Sequence, residues 1–199
     1  IINKDTVNVD NNIFLCNKNK DATVTFEGGT YEALTNDGVP IIVNGGVVNL
    51  KNVKFNATGS VYYGRIVQNY WSDLDGTINI QDGTILDNRG AMELRPCIWS
   101  GTVNMYGGTI TSSEGKGNRG IVASNMKVVG GKISNFYNAI DNSAVKNSST
   151  TIGNVTFENN NCDIVMSSGK KFTIQDDFQG TASVKVNSFP CTITTPGTS

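Results

Sequence analysis

The chain contains no histidine, and only 17% of its 199 residues are charged. Without histidine, the Ser-His and Cys-His pairs that activate nucleophiles are excluded. The net charge of −1 provides no basic field for nucleic acid or for an anionic membrane surface. No apolar run approaches the roughly 18–20 residues that cross a bilayer. These absences predict no nucleic-acid partner and no membrane insertion.

Cysteine is scarce and widely spaced. Cys16, Cys97, Cys162 and Cys191 form no CxxC pair, so an all-cysteine zinc site would lack its usual local spacing. We therefore expect no metal there. We expect these residues to be small buried hydrophobic side chains, and a disulfide among some of them is the alternative.

Small polar residues take the place of the missing charges. Glycine alone contributes 22 residues, and asparagine and threonine are spread along the whole chain. This mixture forms helices poorly, but it suits short strands joined by tight turns. Because the chain begins at Ile1 without a signal-like segment, we interpret it as a mature or trimmed piece of a secreted or cell-surface protein.

A unit of about 25 residues recurs along the chain. Gly76–Ile80 (GTINI) returns as Gly101–Met105 (GTVNM), and a glycine-containing turn and a second short strand follow each copy. The last apolar residue of that second strand marks each unit, and the markers are 24, 30, 25, 23 and 24 residues apart. The markers are Tyr31, Phe55, Ile85, Ile110, Ile133 and Phe157.

The pattern within a unit indicates strands rather than helices. Apolar and polar residues alternate with a period of two, and a third apolar stretch such as Ile121–Ala123 completes the unit. A constant period is required when each strand stacks on its equivalent one coil later. The sequence therefore predicts an all-β, single-stranded right-handed parallel β-helix, a solenoid of roughly seven coils of about 25 residues.

Stacking places equivalent residues directly above one another. Asn88, Asn135 and Asn160 follow the markers closely and are predicted members of an asparagine ladder at the turns. We expect a single β-helix domain over residues 1–193, then a linker-like tail over 194–199. The chain is predicted to be part of a longer protein.

The repeat resembles known families. The Gly107–Ile110 turn (GGTI), with Phe157–Asn160 (FENN) and Ile85–Asn88 (ILDN), resembles the GG-x-[ILV] repeats of bacterial surface adhesins and autotransporter-type proteins. More broadly, residues 20–180 resemble the pectate-lyase-like β-helix superfamily. That superfamily includes polysaccharide lyases, polygalacturonase-type hydrolases and many non-catalytic adhesins, so the resemblance implies a fold more than an activity.

Three arginines precede the third apolar stretch of their units. Arg65, Arg95 and Arg119 are separated by 30 and 24 residues, which is one coil each. In register, they would form a column of guanidinium groups suited to carboxylates or sulfates of an acidic glycan. The alternative is that they pair with neighbouring acids or carbonyls and only cap a solvated ladder.

The resemblance to lyases implies a catalytic alternative. One arginine beside a bound calcium ion would act as the base that removes the proton next to a uronate carboxylate. Asp73, Asp75 and Glu93 are candidate calcium ligands, although they are loosely grouped. A hydrolase would need a pair of carboxylates, and no aspartate recurs at one coil position to supply them.

Aromatic residues gather in the longest unit. Tyr62, Tyr63, Tyr70 and Trp71 lie within ten positions, and Trp99 follows one coil later. Aromatic faces stack on sugar rings, and loops on a rigid scaffold often carry binding residues. A local hydrophobic patch over the coil surface is the alternative.

The leading hypothesis is a non-catalytic extracellular module of a bacterial surface protein that serves adhesion or glycan binding without a cofactor. Its partner would be a polysaccharide or a host or cell-surface glycan. A calcium-dependent pectate-type lyase is the alternative, and a structural stalk is the third. The predicted contact surface comprises Arg65, Tyr70, Trp71, Arg95, Trp99 and Arg119.

Overall fold

The structure, a computed structural model, describes most of the chain. The described residues are 6–9, 15–17, 19–33, 42–57, 66–68, 75–89, 96–143, 148–187 and 192–194. Their regular secondary structure consists of strands only, without a helix in these ranges. The strands are β1 (Thr6–Val9), β2 (Leu15–Asn17), β3 (Thr23–Glu27), β4 (Thr30–Ala33), β5 (Ile42–Asn44), β6 (Val47–Lys51), β7 (Lys54–Asn56), β8 (Val67–Gln68), β9 (Thr77–Ile80), β10 (Ile85–Asp87), β11 (Pro96–Met105), β12 (Thr109–Thr111), β13 (Gly117–Val128), β14 (Lys132–Ser134), β15 (Phe136–Asp141), β16 (Ser149–Ile152), β17 (Thr156–Glu158), β18 (Cys162–Met166), β19 (Lys171–Ile174), β20 (Val184–Val186) and β21 (Thr192–Thr194).

The strands stack into three parallel sheets, which we call faces A, B and C. Face A contains β3, β6, β9, the second halves of β11 and β13, β16, β19 and β21. Face B contains β1, β4, β7, β10, β12, β14 and β17. Face C contains β2, β5, β8, the first halves of β11 and β13, β15, β18 and β20. The long strands β11 and β13 run through the corner between faces C and A, so these two faces form one continuous sheet.

The prediction of an all-β parallel solenoid is confirmed. About five turns have all three faces described together with their side chains. The sequence predicted roughly seven coils, and partial turns extend the faces at both ends of these five. The right-handed sense of the coil stays a prediction. The five turns begin at Val47, Thr77, Thr102, Asn125 and Ser149.

Columns of apolar side chains fill the interior. On face A, Leu50 aligns with Ile80, and Met105 aligns with Val128, and all four are fully buried. Full burial of such a side chain stabilises a fold by roughly 1.5–3 kcal/mol. The alternation of apolar and polar residues along each strand thus supplies one wall of the core in every coil.

Aromatic rings occupy the core near the start of the described coils. Phe26, Tyr31 and Phe55 are almost completely buried. Their ring centroids lie 4.8–5.6 Å apart, with Tyr31 stacked on Phe55 and Phe26 edge-on to both. Tyr31 and Phe55 occupy the same register position on β4 and β7.

One predicted core marker is wrong by a single residue. Leu86, and not Ile85, aligns with Phe55 on one side and Ile110 on the other. Leu86 is fully buried, whereas Ile85 is 37% exposed. The reason is turn length, because this coil has one more residue between the left-handed glycine at Gly83 and the inward side chain.

The predicted asparagine ladder at the turns exists in part. Asn135 has a left-handed backbone (φ 65°) and accepts a hydrogen bond of 2.7 Å from the Asn159 amide. Asn160 instead donates to the carbonyl of Ile133 and accepts from the backbone N–H of Phe136. Asn88 is fully buried, and its amide has no hydrogen-bond partner among the described residues.

The two cysteines whose side chains are described behave as buried hydrophobic residues. Cys97 and Cys162 are buried, and both are free thiols. Burial raises the pKa of the Cys97 thiol far above its ordinary value, and the nearby negative charge of Asp87 adds to this effect. The side chains of Cys16 and Cys191 lie outside the described residues.

Candidate functional site

Most of the predicted contact surface lies outside the described residues. This is the case for Arg65, Tyr70, Trp71 and Arg95, so their placement stays a prediction. The same holds for Asp73 and Glu93 among the candidate calcium ligands. Trp99 and Arg119 are described, and both lie on face C.

Trp99 is the exposed aromatic residue of the predicted surface. It lies on β11 between Gln68 of the preceding coil and Val122 of the following coil. The side chain is 41% exposed, whereas Val122 beside it is buried. The ring therefore projects from a flat strand face, as a stacking platform for a ligand does.

Arg119 forms an ion pair with Asp141. The guanidinium Nε lies 3.0 Å from the Asp141 Oδ2, but off the line that a hydrogen bond requires. Asp141 is nearly completely buried, and its Oδ1 accepts bonds from the backbone N–H and the hydroxyl of Ser143. For Arg119, pairing with a neighbouring acid is thus the observed arrangement.

The register of β11 and β13 bears on the proposed arginine column. Arg119 aligns with Pro96 of the preceding coil, which is the residue after Arg95. A spacing of one coil in the sequence therefore did not correspond to strict alignment at this step, since the coils of the solenoid differ in length by a residue or more.

A polar cleft lies at the corner between faces B and C, and we call it the corner cleft. It has a volume of about 220 Å³, below the roughly 300–1,000 Å³ of pockets for drug-sized ligands. That size suits one small polar group, such as a single sugar residue. Its lining residues are Ser112, Ser113, Gly115, Lys116, Asn135 and Asn159.

A buried carboxylate holds one wall of the corner cleft in place. Asp87, on β10 of the preceding coil, accepts bonds from the Ser113 backbone N–H (3.0 Å) and hydroxyl (2.6 Å). It also accepts from the backbone N–H of Arg89 at 3.0 Å. Asp87 is only 5% exposed, so these three donors replace the water that the carboxylate lost on folding.

The opposite wall is formed by side chains of the next two coils. The Lys116 ammonium donates to the Asn161 Oδ1 at 2.5 Å, although Asn161 lies 45 residues later, and so the lysine spans the intervening coil. That coil contributes Tyr137, which is 40% exposed. Tyr137 lies between Asn118 and Asn161 in the register of face C.

An ion-pair network borders the corner cleft on face B. The Arg89 guanidinium lies 2.9 Å from the Glu32 carboxylate and 3.7 Å from that of Glu114. Glu32 also accepts a bond of 2.7 Å from the Asn56 amide. The Asn56 bond, and then the nearby Arg89 charge, lower the pKa of Glu32, while partial burial opposes them.

Two searches of the described part of the chain gave negative results. It holds no group of three or more histidine, cysteine, aspartate or glutamate side chains that could bind a metal ion. It also contains no helix long and apolar enough to cross a membrane.

Sequence reasoning missed the corner cleft. The loop over residues 112–118 was read only as a polar connection between strands. The available signal was the alignment of Asp87 with Thr111 one coil later, which brings the following serines beside a carboxylate. Comparison with protein-family models, with curated proteins and with solved structures finds no match for this chain.

Proposed function

We propose that this protein is a non-catalytic β-solenoid module of a bacterial surface or secreted protein, and that it binds acidic glycans. The observation that carries the proposal is the corner cleft, in which hydroxyl, amide and ammonium groups lie beside the exposed ring of Tyr137. Sugar recognition commonly combines such hydrogen-bonding groups with an aromatic face. The resemblance of the repeat to surface adhesins supports the location.

Lys116 favours a ligand that carries a carboxylate or sulfate. A lysine ammonium has three donor hydrogens, and the bond to Asn161 uses one of them. Because its acceptor is a neutral amide, the bond leaves the positive charge of Lys116 uncompensated by that contact. A uronate or sulfated sugar in the corner cleft would supply the missing anion.

The engagement of nearby carboxylates supports binding rather than catalysis. Asp87 accepts three hydrogen bonds, and Asp141 accepts two in addition to its ion pair with Arg119. A general base needs a lone pair that reaches its substrate. In these two residues the lone pairs hold the turns of the solenoid instead.

The test is retention on immobilised uronate and sulfated polysaccharides in the presence of calcium. We expect the wild type to be retained and Lys116→Ala to bind about 10-fold more weakly, the effect of losing one charge-assisted hydrogen bond. Tyr137→Ala should also bind more weakly. Lys185→Ala is the matched control, because it removes an equally positive, exposed side chain elsewhere on face C.

Two outcomes would contradict this proposal. Equal retention of the wild type and the Lys116 variant would show that the corner cleft does not bind the glycan. Unsaturated sugar products, detected by their ultraviolet absorbance, would show that the protein is a lyase.

A further inference from the structure

The outward side of face A carries two adjacent columns of uncharged side chains. Over four successive coils both columns contain only threonine, asparagine and one valine. The first column is Thr23, Val47, Thr77 and Thr102, and the second, which we call the amide column, is Thr25, Asn49, Asn79 and Asn104.

Hydrogen bonds fix the amide column along the solenoid axis. Asn104 donates to Asn79 at 2.9 Å, Asn79 to Asn49 at 2.8 Å, and Asn49 to the Thr25 hydroxyl at 3.2 Å. Each bond links one coil to the next, so the amides repeat with the strand spacing of about 4.8 Å. Their orientation is therefore set before any ligand arrives, which lowers the entropy cost of binding.

The column bonds do not exhaust the amides. A carboxamide has two N–H groups and two oxygen lone pairs, and a ladder contact uses one of each. Asn49, Asn79 and Asn104 are all partly exposed. Each coil thus presents a donor and an acceptor at a fixed position on a flat strand face.

An exposed aromatic ring borders the amide column. Tyr106 follows Asn104 by two residues and is 50% exposed. The Lys127 ammonium lies 5.8 Å from the centre of its ring, a cation–π contact that restrains the ring. Lys127 aligns with Asn104 and ends the uncharged part of the column.

We propose that face A binds an extended neutral polysaccharide of the β-1,4-linked glucan class, with its chain parallel to the solenoid axis. The coil repeat of about 4.8 Å is close to the rise of one sugar in such a chain, so successive sugars meet successive amides. An uncharged face complements an uncharged ligand and does not favour the acidic glycans of the corner cleft. Tyr106 provides the ring on which one sugar stacks.

The test is retention on insoluble cellulose of the wild type and of two face A variants. Tyr106→Ala removes the ring, and Asn79→Leu interrupts the amide column at similar side-chain volume. We expect both variants to bind at least 10-fold more weakly, and 1 M salt to leave wild-type retention unchanged because no charge pair is involved. Tyr137→Ala, an equally exposed tyrosine on face C, is the matched control and should bind cellulose as the wild type does.

Several results would overturn this inference. They are failure of the wild type to bind cellulose, full retention of both face A variants, or release of the wild type by salt. Binding to uronate polysaccharides without binding to cellulose would refute this inference alone. Binding to cellulose without binding to uronates would refute only the corner cleft proposal. Equal unfolding midpoints would show that the Asn79→Leu variant remains folded.

Discussion

At the scale of single residues, Glu32 links the fold to pH. Asn56 and Arg89 both stabilise its charged form, which is why its pKa lies below the ordinary value. A carboxylate with a lowered pKa contributes stability above its unfolded-state pKa of about 4.3 and loses that contribution as the pH falls through its folded-state pKa.

We therefore expect the free energy of unfolding to decrease below about pH 5, and to decrease less steeply in Glu32→Gln. Urea unfolding of both proteins at several pH values measures the difference. Parallel curves for the two proteins would show that Glu32 does not contribute to the acid sensitivity.

Cys97 illustrates how burial controls reactivity at the same scale. The thiolate is the nucleophilic form, and the raised pKa of this buried thiol suppresses it. We expect iodoacetamide to leave Cys97 unmodified in the folded protein and to modify it after unfolding in denaturant. Peptide mass spectrometry distinguishes Cys97 from the other cysteines. Rapid modification under native conditions would contradict the buried environment.

At the scale of elements, the turns between faces A and B depend on glycine for two different reasons. Gly131 has a φ of 80°, and a methyl group there would lie 2.5 Å from the carbonyl oxygen of Gly108. Gly169 has nearly the same φ of 76°, but a methyl group there would meet no atom within 4 Å. The two positions therefore separate backbone strain from stacking contact.

We expect Gly169→Ala to cost about 1–2 kcal/mol of unfolding free energy, from the left-handed backbone alone. Gly131→Ala should cost clearly more, because the coil below must also move. Urea unfolding of the two variants tests this order. Equal losses would mean that the coils yield easily at this turn.

The elements also show how far the sequence determines the fold. The steps of 23–25 residues and the alternating pattern identify a stacked coil, since both follow from side chains that must face one core. Turn length is less predictable, because Ile85 and Leu86 are both apolar and only the backbone decides which points inward. The corner cleft was beyond prediction for a related reason. It needs Asp87 and Ser113, 26 residues apart, to meet across two coils.

At the scale of the whole molecule, each coil contacts mainly its two neighbours. The coil over residues 102–124 contributes Met105, Ile110 and Ile121 to the core. The coil before it presents Ile80, Leu86 and Ile98 at the same register positions, and the coil after it presents Val128, Ile133 and Ile140.

Removing residues 102–124, which is one complete coil, would bring Ile80 onto Val128 and Leu86 onto Ile133 without a change of face. We expect this variant to keep its β-sheet circular dichroism and to unfold cooperatively, at lower stability because a shorter stack buries less apolar surface. Removing only residues 102–112 shifts the following strands to the wrong face, so we expect that variant not to fold. If both deletions behaved alike, stability would not be carried by contacts between whole coils in register.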